Sequence, residues 1–125
     1  MKKRVLIVED YVGFRKVLKD FLETQNMEVS EASSLKDALK LCSFQFFHLI
    51  LLDIYLGGEL GLDLALTISK DILLYGKPRI IVMSGSLGGE IVKTSDFKEE
   101  YSIDLFLKKP FELADLKFHI NQLLP

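Results

Sequence analysis

Two short, uninterrupted apolar runs stand out in the chain, and each of them ends in carboxylates. Residues 5–8 precede Glu9 and Asp10, and residues 49–52 precede Asp53 and a glycine-rich turn. Runs this short and this apolar are typical of strands buried on both faces, as in the centre of a parallel sheet. Because open α/β sheets bind their ligands beyond the carboxyl ends of the strands, these carboxylates are candidates for chemistry.

Strand-like and helix-like patterns alternate along the rest of the chain. Ser34, with Asp37 three residues later, is predicted to begin the second helix. The predicted helices span 12–25, 34–42, 62–75 and 90–100, and a terminal helix is predicted from the apolar stripe Leu113, Leu116, Ile120 and Leu123. The further predicted strands span 27–32, 79–84 and 104–108. Five alternations predict an α/β fold, a doubly wound (βα)5 three-layer sandwich around a five-stranded parallel sheet.

The composition fits a single cytoplasmic domain that covers residues 1–125. Hydrophobic residues make up 49% of the 125 residues and charged residues 27%, so the chain can bury a core. The net charge of −2 is nearly balanced and basic residues are scattered, which argues against nucleic acid as a direct partner. No apolar run is long enough for a membrane span or a signal peptide. The lone Cys42, expected to pack as a small hydrophobe, fits a reducing compartment.

The ends of the predicted strands carry a set of polar residues that belong together chemically. Glu9, Asp10, Asp53, Ser84 and Lys109 are all expected at one edge of the sheet. Clustered carboxylates repel one another unless a cation compensates, and ligands that are all oxygen favour Mg²⁺ over zinc. The lysine can pair with Asp53 or with a phosphoryl group on it, and the serine can donate a hydrogen bond. These parts suit phosphoryl transfer, which needs little beyond positioning and charge neutralisation.

This set of residues resembles the receiver domain of the two-component response regulator family, with likeness to the chemotaxis regulators. The resemblance covers essentially the whole chain, and the motifs occur in the family's order. The matching positions are the acidic pair Glu9-Asp10, the phosphoacceptor Asp53, the hydroxyl Ser84, the aromatic Phe106 and the pair Lys109-Pro110. The resemblance implies a flavodoxin-like sheet with strand order 2-1-3-4-5.

The resemblance also implies a function. A histidine kinase or a histidine phosphotransfer protein is expected to donate a phosphoryl group to Asp53, with magnesium held by Glu9, Asp10, Asp53 and the backbone carbonyl of Tyr55. The domain is then a signalling phosphoacceptor that assists its own phosphorylation and dephosphorylation, and not an enzyme with a separate substrate. A phosphorylation-linked dimer and a cis peptide bond between Lys109 and Pro110 are also expected.

The same resemblance suggests a conformational switch and a slow hydrolysis of the phosphoryl group. Phosphorylation is expected to draw Ser84 toward the phosphoryl group, so that Phe106 repacks and the surface of the fourth helix, the fifth strand and the fifth helix changes. The bulky side chain of Tyr55 is expected to hinder the water that hydrolyses the phosphoryl group. Gly57 stands where the family often has proline, which should loosen that loop.

Three other side chains have simpler interpretations. His48 and His119 are expected to be surface residues and not phosphohistidines. Phe118 lies off the apolar stripe of its helix and is expected to face water or a partner, forming an interaction face with Phe106 on the neighbouring strand.

Other functional classes fit the residues less well. A haloacid-dehalogenase-like phosphatase would need a second aspartate where Tyr55 stands. A flavodoxin-like cofactor binder would find its phosphate repelled by Glu9 and Asp10, and no nucleotide-binding glycine motif is present. Two further alternatives stay open: the N-terminal receiver of a longer regulator whose output domain is absent, and a receiver fold used for phosphorylation-independent docking.

Overall fold

The structure, a computed structural model, describes residues 1–85 and 101–125. The helices described are α1 (Val12–Thr24), α2 (Leu35–Phe44), α3 (Leu62–Ser69), α4 (Ile72–Tyr75) and α5 (Leu113–Leu123). The strands described are β1 (Arg4–Val8), β2 (Glu28–Ala32), β3 (Leu49–Asp53), β4 (Tyr55–Leu56), β5 (Glu59–Leu60), β6 (Arg79–Ser84) and β7 (Leu105–Lys108). The predicted helix at 90–100 lies outside the described residues.

Five of these strands form one parallel sheet in the order β2-β1-β3-β6-β7. The strands β4 and β5 form a separate small hairpin. When the hairpin is set aside, the order is the 2-1-3-4-5 order that the family resemblance implies, so the predicted fold class is confirmed.

Two apolar clusters cover the two faces of the sheet, which explains the uninterrupted apolar runs. Alternate residues of β1 and β3 point to opposite faces, so residues 5–8 and 49–52, which lie between the charged strand ends, must all be apolar. On one face Leu6 and Ile50 pack in a cluster with residues of α2 and α3. On the other, Ile7 and Leu51 pack with residues of α1 and α5.

The predicted helix over 62–75 is wrong as a single element, because it is divided into α3 and α4. Asp71 leaves the helical conformation, and its side chain accepts a hydrogen bond from the Leu74 N–H at 3.1 Å, which caps the short α4. The predicted cap of α2 is confirmed, since the Ser34 hydroxyl accepts from the Asp37 N–H at 3.1 Å.

The hairpin after β3 depends on glycines. Gly57 and Gly58 join β4 to β5 with φ values of +49° and +92°, the pattern of a tight two-residue hairpin turn. Proline, whose ring fixes φ near −65°, cannot adopt this conformation at position 57. At Gly61 a Cβ atom would collide with the carbonyl oxygen of Asp53, so only glycine lets the chain return this close to β3.

Two side chains lie as the sequence predicts. Cys42 is buried on α2, and burial raises the pKa of its thiol to about 11. Phe118 is 59% exposed on α5.

Among the helices in the described ranges, none combines the length and the apolar character needed to cross a bilayer.

His48 is not part of the buried core, but it makes a backbone contact that the sequence pattern does not reveal. His48 is half-buried before β3 and extends the sheet at its amino edge. Its backbone N–H donates to the Arg4 carbonyl and its own carbonyl accepts from the Arg79 N–H, both at 2.9 Å. Its Nδ1 accepts from the Arg4 N–H at 2.9 Å. Burial lowers the pKa of His48, and the charges of Lys3 and Arg4 lower it further.

We expect His48 to make stability pH-dependent. A histidine whose pKa is lowered by folding stabilises the fold above its unfolded pKa of about 6.5, and that contribution is lost as the pH falls through the folded pKa. The variant His48→Asn keeps an acceptor for the Arg4 N–H but does not titrate. When the pH is lowered from about 7.5 to about 5.5, the free energy of unfolding of the wild type should therefore fall by more than that of the variant. Urea unfolding at both pH values measures this difference. An identical pH dependence in the two proteins would show that the contact does not hold the imidazole neutral.

Candidate functional site

The side chains predicted to carry the chemistry lie at the carboxyl edge of the parallel sheet. Glu9 and Asp10 follow β1, Asp53 is the last residue of β3, Ser84 is the last residue of β6, and Lys109 follows β7. Parallel pairing aligns the ends of these strands, so residues distant in sequence meet at one edge. The structure brings together all five.

The three acids form a compact cluster. Glu9, Asp10 and Asp53 each offer a carboxylate oxygen, and these oxygens lie within 4.8 Å of one another. Glu9 and Asp53 are buried, whereas Asp10 is exposed. The Nζ atom of Lys109 lies 2.8 Å from Glu9 Oε1 and 3.4 Å from Asp53 Oδ2. Lys109 therefore places positive charge against both buried carboxylates.

Burial is the largest influence on the ionisation of Glu9. The loss of water raises the pKa of Glu9 to about 7, and the neighbouring Asp53 adds to the rise. Hydrogen bonds from Lys109 and from the Tyr11 backbone N–H lower the pKa but do not outweigh burial. The cluster thus places a carboxylate where ionisation is costly unless more positive charge arrives.

The start of α1 fixes Glu9 from one side. The Tyr11 N–H donates to Glu9 Oε2 at 3.2 Å. The Arg15 guanidinium donates to the Glu9 carbonyl at 2.8 Å and pairs with Glu31 on β2 at 3.1 Å. Arg15 could not be identified from the sequence, because its helical spacing does not show that its side chain reaches back to the end of β1.

The hairpin fixes the cluster from the other side. The Gly57 N–H donates to Asp10 Oδ2 at 3.1 Å, and the Tyr55 N–H faces Asp53 Oδ1 at 3.4 Å. A proline at position 57 would have no N–H for Asp10. Gly57 departs from the common family pattern in the sequence, but its contact with Asp10 is visible only in the folded chain.

The donor set suits a hard divalent cation. The cluster consists of carboxylate oxygens alone, and Mg²⁺ binds through one or two carboxylates together with water and phosphate oxygens. Positive charge added near Glu9 would lower its raised pKa. Glu9, Asp10 and Asp53 therefore fit Mg²⁺. The role of the Tyr55 carbonyl as a ligand stays a prediction.

The two predicted switch residues occupy neighbouring strands. Ser84 is buried, and its carbonyl accepts from the Lys109 N–H at 2.6 Å. Phe106 on β7 is half-buried and packs against the cluster beneath α2 and α3, whereas Phe118 is carried by α5 on the other face. The two aromatic residues therefore lie in different layers.

The peptide bond between Lys109 and Pro110 is cis, as the resemblance implies.

Known proteins resemble the chain over nearly its full length. The transcriptional regulatory protein SrrA of Staphylococcus aureus is 29% identical over 124 residues, which are 99% of this chain and 48% of SrrA. The chain thus spans about half the length of the curated relatives it matches. A response regulator receiver domain protein (CheY-like) from Methanospirillum hungatei JF-1 has a TM-score of 0.81 and 28% identity, over 98% of this chain and 93% of that chain.

A third relative was crystallised in a modified state. A response regulator protein from Burkholderia pseudomallei, solved with a phosphorylated aspartic acid, calcium ion and citrate, has a TM-score of 0.78 and 26% identity, over 93% of this chain and 65% of that chain. The family model for the response regulator receiver domain matches residues 5–121. Together with the sheet order, this match shows that the chain belongs to the response regulator receiver domain family of two-component signalling.

Proposed function

We propose that Asp53 accepts a phosphoryl group from a histidine kinase or a histidine phosphotransfer protein in the cytoplasm, with Mg²⁺ as cofactor, and that residues 1–125 act as one receiver domain. The observation that carries this proposal is the position of Asp53. Its carboxylate ends the central strand, lies 3.4 Å from the Lys109 ammonium, and shares a compact cluster with Glu9 and Asp10.

The residues of this chain have distinct parts in the transfer. An oxygen of Asp53 attacks phosphorus and forms an O–P bond, while the P–N bond to the donor histidine breaks and its electron pair returns to the ring nitrogen. Lys109 neutralises negative charge on the moving group, and the Ser84 hydroxyl donates a hydrogen bond to it. Mg²⁺, when held by Glu9, Asp10, Asp53 and the Tyr55 carbonyl, supplies further charge neutralisation.

The Burkholderia pseudomallei relative supports this assignment. That protein carries a phosphorylated aspartic acid and a calcium ion on a fold that matches 93% of this chain. The same chemistry at Asp53 makes the domain a signalling phosphoacceptor that assists its own phosphorylation and dephosphorylation.

The output of the switch is a changed protein surface. Phosphorylation draws Ser84 toward the phosphoryl group, and Phe106 then repacks against the apolar cluster that it already contacts. The protein surface that includes β7 and α5 changes as a result. An output partner, an attached output domain or a phosphorylation-linked second copy reads this surface.

The phosphoacceptor assignment predicts a change in mass. Incubation of the wild type with acetyl phosphate and Mg²⁺ should add one phosphoryl group, because the Asp53 carboxylate is the nucleophile. Asp53→Asn should gain none, since an amide is not a nucleophile of this kind. Intact-mass spectrometry measures both. The control is Asp63→Asn, an exposed carboxylate on α3, which should be modified like the wild type. Modification of Asp53→Asn, or its absence from the wild type, would contradict the proposal.

The position of Tyr55 predicts a slow loss of the phosphoryl group. Its side chain is 43% exposed, two residues beyond Asp53, where its ring can limit the approach of water. In Tyr55→Asn the phosphorylated form should decay about three- to tenfold faster, equivalent to a modest lowering of the barrier. Tyr55→Phe keeps the ring and should decay at the wild-type rate. The decay is followed by intact mass after removal of the phosphodonor, and equal rates for the Asn and Phe variants would refute the role of the ring.

A further inference from the structure

The ammonium group of Lys109 has an aromatic neighbour as well as its two carboxylates. Its Nζ atom lies 4.7 Å from the centre of the Phe14 ring. This distance is within the range at which the negative face of an aromatic ring attracts a cation. The Lys109 side chain is about a quarter exposed, so water weakens this attraction only in part.

Phe14 is itself held in place from two directions. Its ring meets the Phe111 ring edge to face, with centres 5.8 Å apart and planes at 69°. Both rings pack against the cluster beneath α1 and α5. The next residue, Arg15, ties the first turn of α1 to the Glu9 carbonyl. The ring that faces Lys109 is therefore fixed relative to the acids.

An aromatic ring suits this position better than a third acid would. The lysine side chain is long and flexible, so an ammonium group that contacts only carboxylates changes position when one of those carboxylates moves. A ring attracts the cation without adding a formal negative charge. It therefore does not repel an incoming phosphoryl group, which a carboxylate at the same place would do.

We propose that Phe14 is a positioning residue for Lys109. Its ring holds the ammonium between Glu9 and Asp53, so that the charge is already in place when the O–P bond to Asp53 forms. This inference rests on the proposed function for its effect on phosphorylation, but the contact between Phe14 and Lys109 can be tested without it.

The experiment compares Phe14→Leu and Phe14→Met, which keep apolar bulk but have no aromatic face, with Phe14→Tyr, which keeps the face. Acetyl phosphate and Mg²⁺ provide the phosphoryl group: an oxygen of Asp53 bonds to phosphorus, the P–O bond to acetate breaks, and acetate leaves with the electron pair. The Leu and Met variants should be phosphorylated about two- to fivefold more slowly than the wild type, the range expected for one partly exposed cation–π contact. Phe14→Tyr should restore the wild-type rate.

A second measurement reports on the contact itself. In the wild type, the NMR signals of the Lys109 ε-methylene protons should be shifted upfield by the ring current of Phe14. The shift should persist in Phe14→Tyr and disappear in Phe14→Leu and Phe14→Met. Phe118→Leu, which removes an exposed ring on α5, is the matched control and should change neither the shift nor the rate.

The outcomes separate this inference from the proposed function. Slow phosphorylation and lost shifts in the Leu and Met variants, with rescue by Tyr, support the role of Phe14. Wild-type rates in the Leu and Met variants overturn it, as does an unshifted Lys109 signal in the wild type. A wild type that accepts no phosphoryl group contradicts the proposed function, and the Lys109 signals then decide alone whether Phe14 positions the lysine.

Discussion

The arrangement of the site depends on a carboxylate buried at the end of β1. Glu9 is almost fully enclosed, and removing a carboxylate from water is unfavourable unless hydrogen bonds and positive charge replace the water. Lys109 supplies the charge, and the Tyr11 N–H supplies a hydrogen bond. Even so, burial keeps the pKa of Glu9 near 7. The ionised form of Glu9 therefore needs further positive charge. A divalent cation bound at this edge of the sheet, beside Asp53, would supply it.

Much of the fold could be predicted because parallel sheets constrain sequence strongly. Residues 5–8 and 49–52 must be apolar on both faces, so their pattern identified central strands without further information. The convergence of Glu9, Asp53 and Lys109 followed from the same geometry, since parallel strands end at a common edge. The family resemblance added the strand order, which periodicity alone leaves open.

The remaining features depend on contacts that leave no periodic signal. The break between α3 and α4 coincides with one side-chain cap at Asp71, and the hydrogen bond that His48 accepts from the Arg4 N–H joins two strands at their amino ends. The contacts of Gly57 with Asp10 and of Phe14 with Lys109 join separate elements at distances that only a folded chain defines. Each such contact fixes a functional group from a loop or a helix start, where sequence patterns are weakest.

If the acids at the edge of the sheet bind a divalent cation next to Asp53, Mg²⁺ must change the surroundings of the backbone amides that face these acids. An NMR titration of the wild type with Mg²⁺ at constant ionic strength measures this change. We expect saturable shifts at millimolar Mg²⁺ for the amides of Gly57 and Tyr55, which face the Asp10 and Asp53 carboxylates. Amide signals at both positions that stay unchanged while Mg²⁺ replaces a monovalent salt would contradict this expectation.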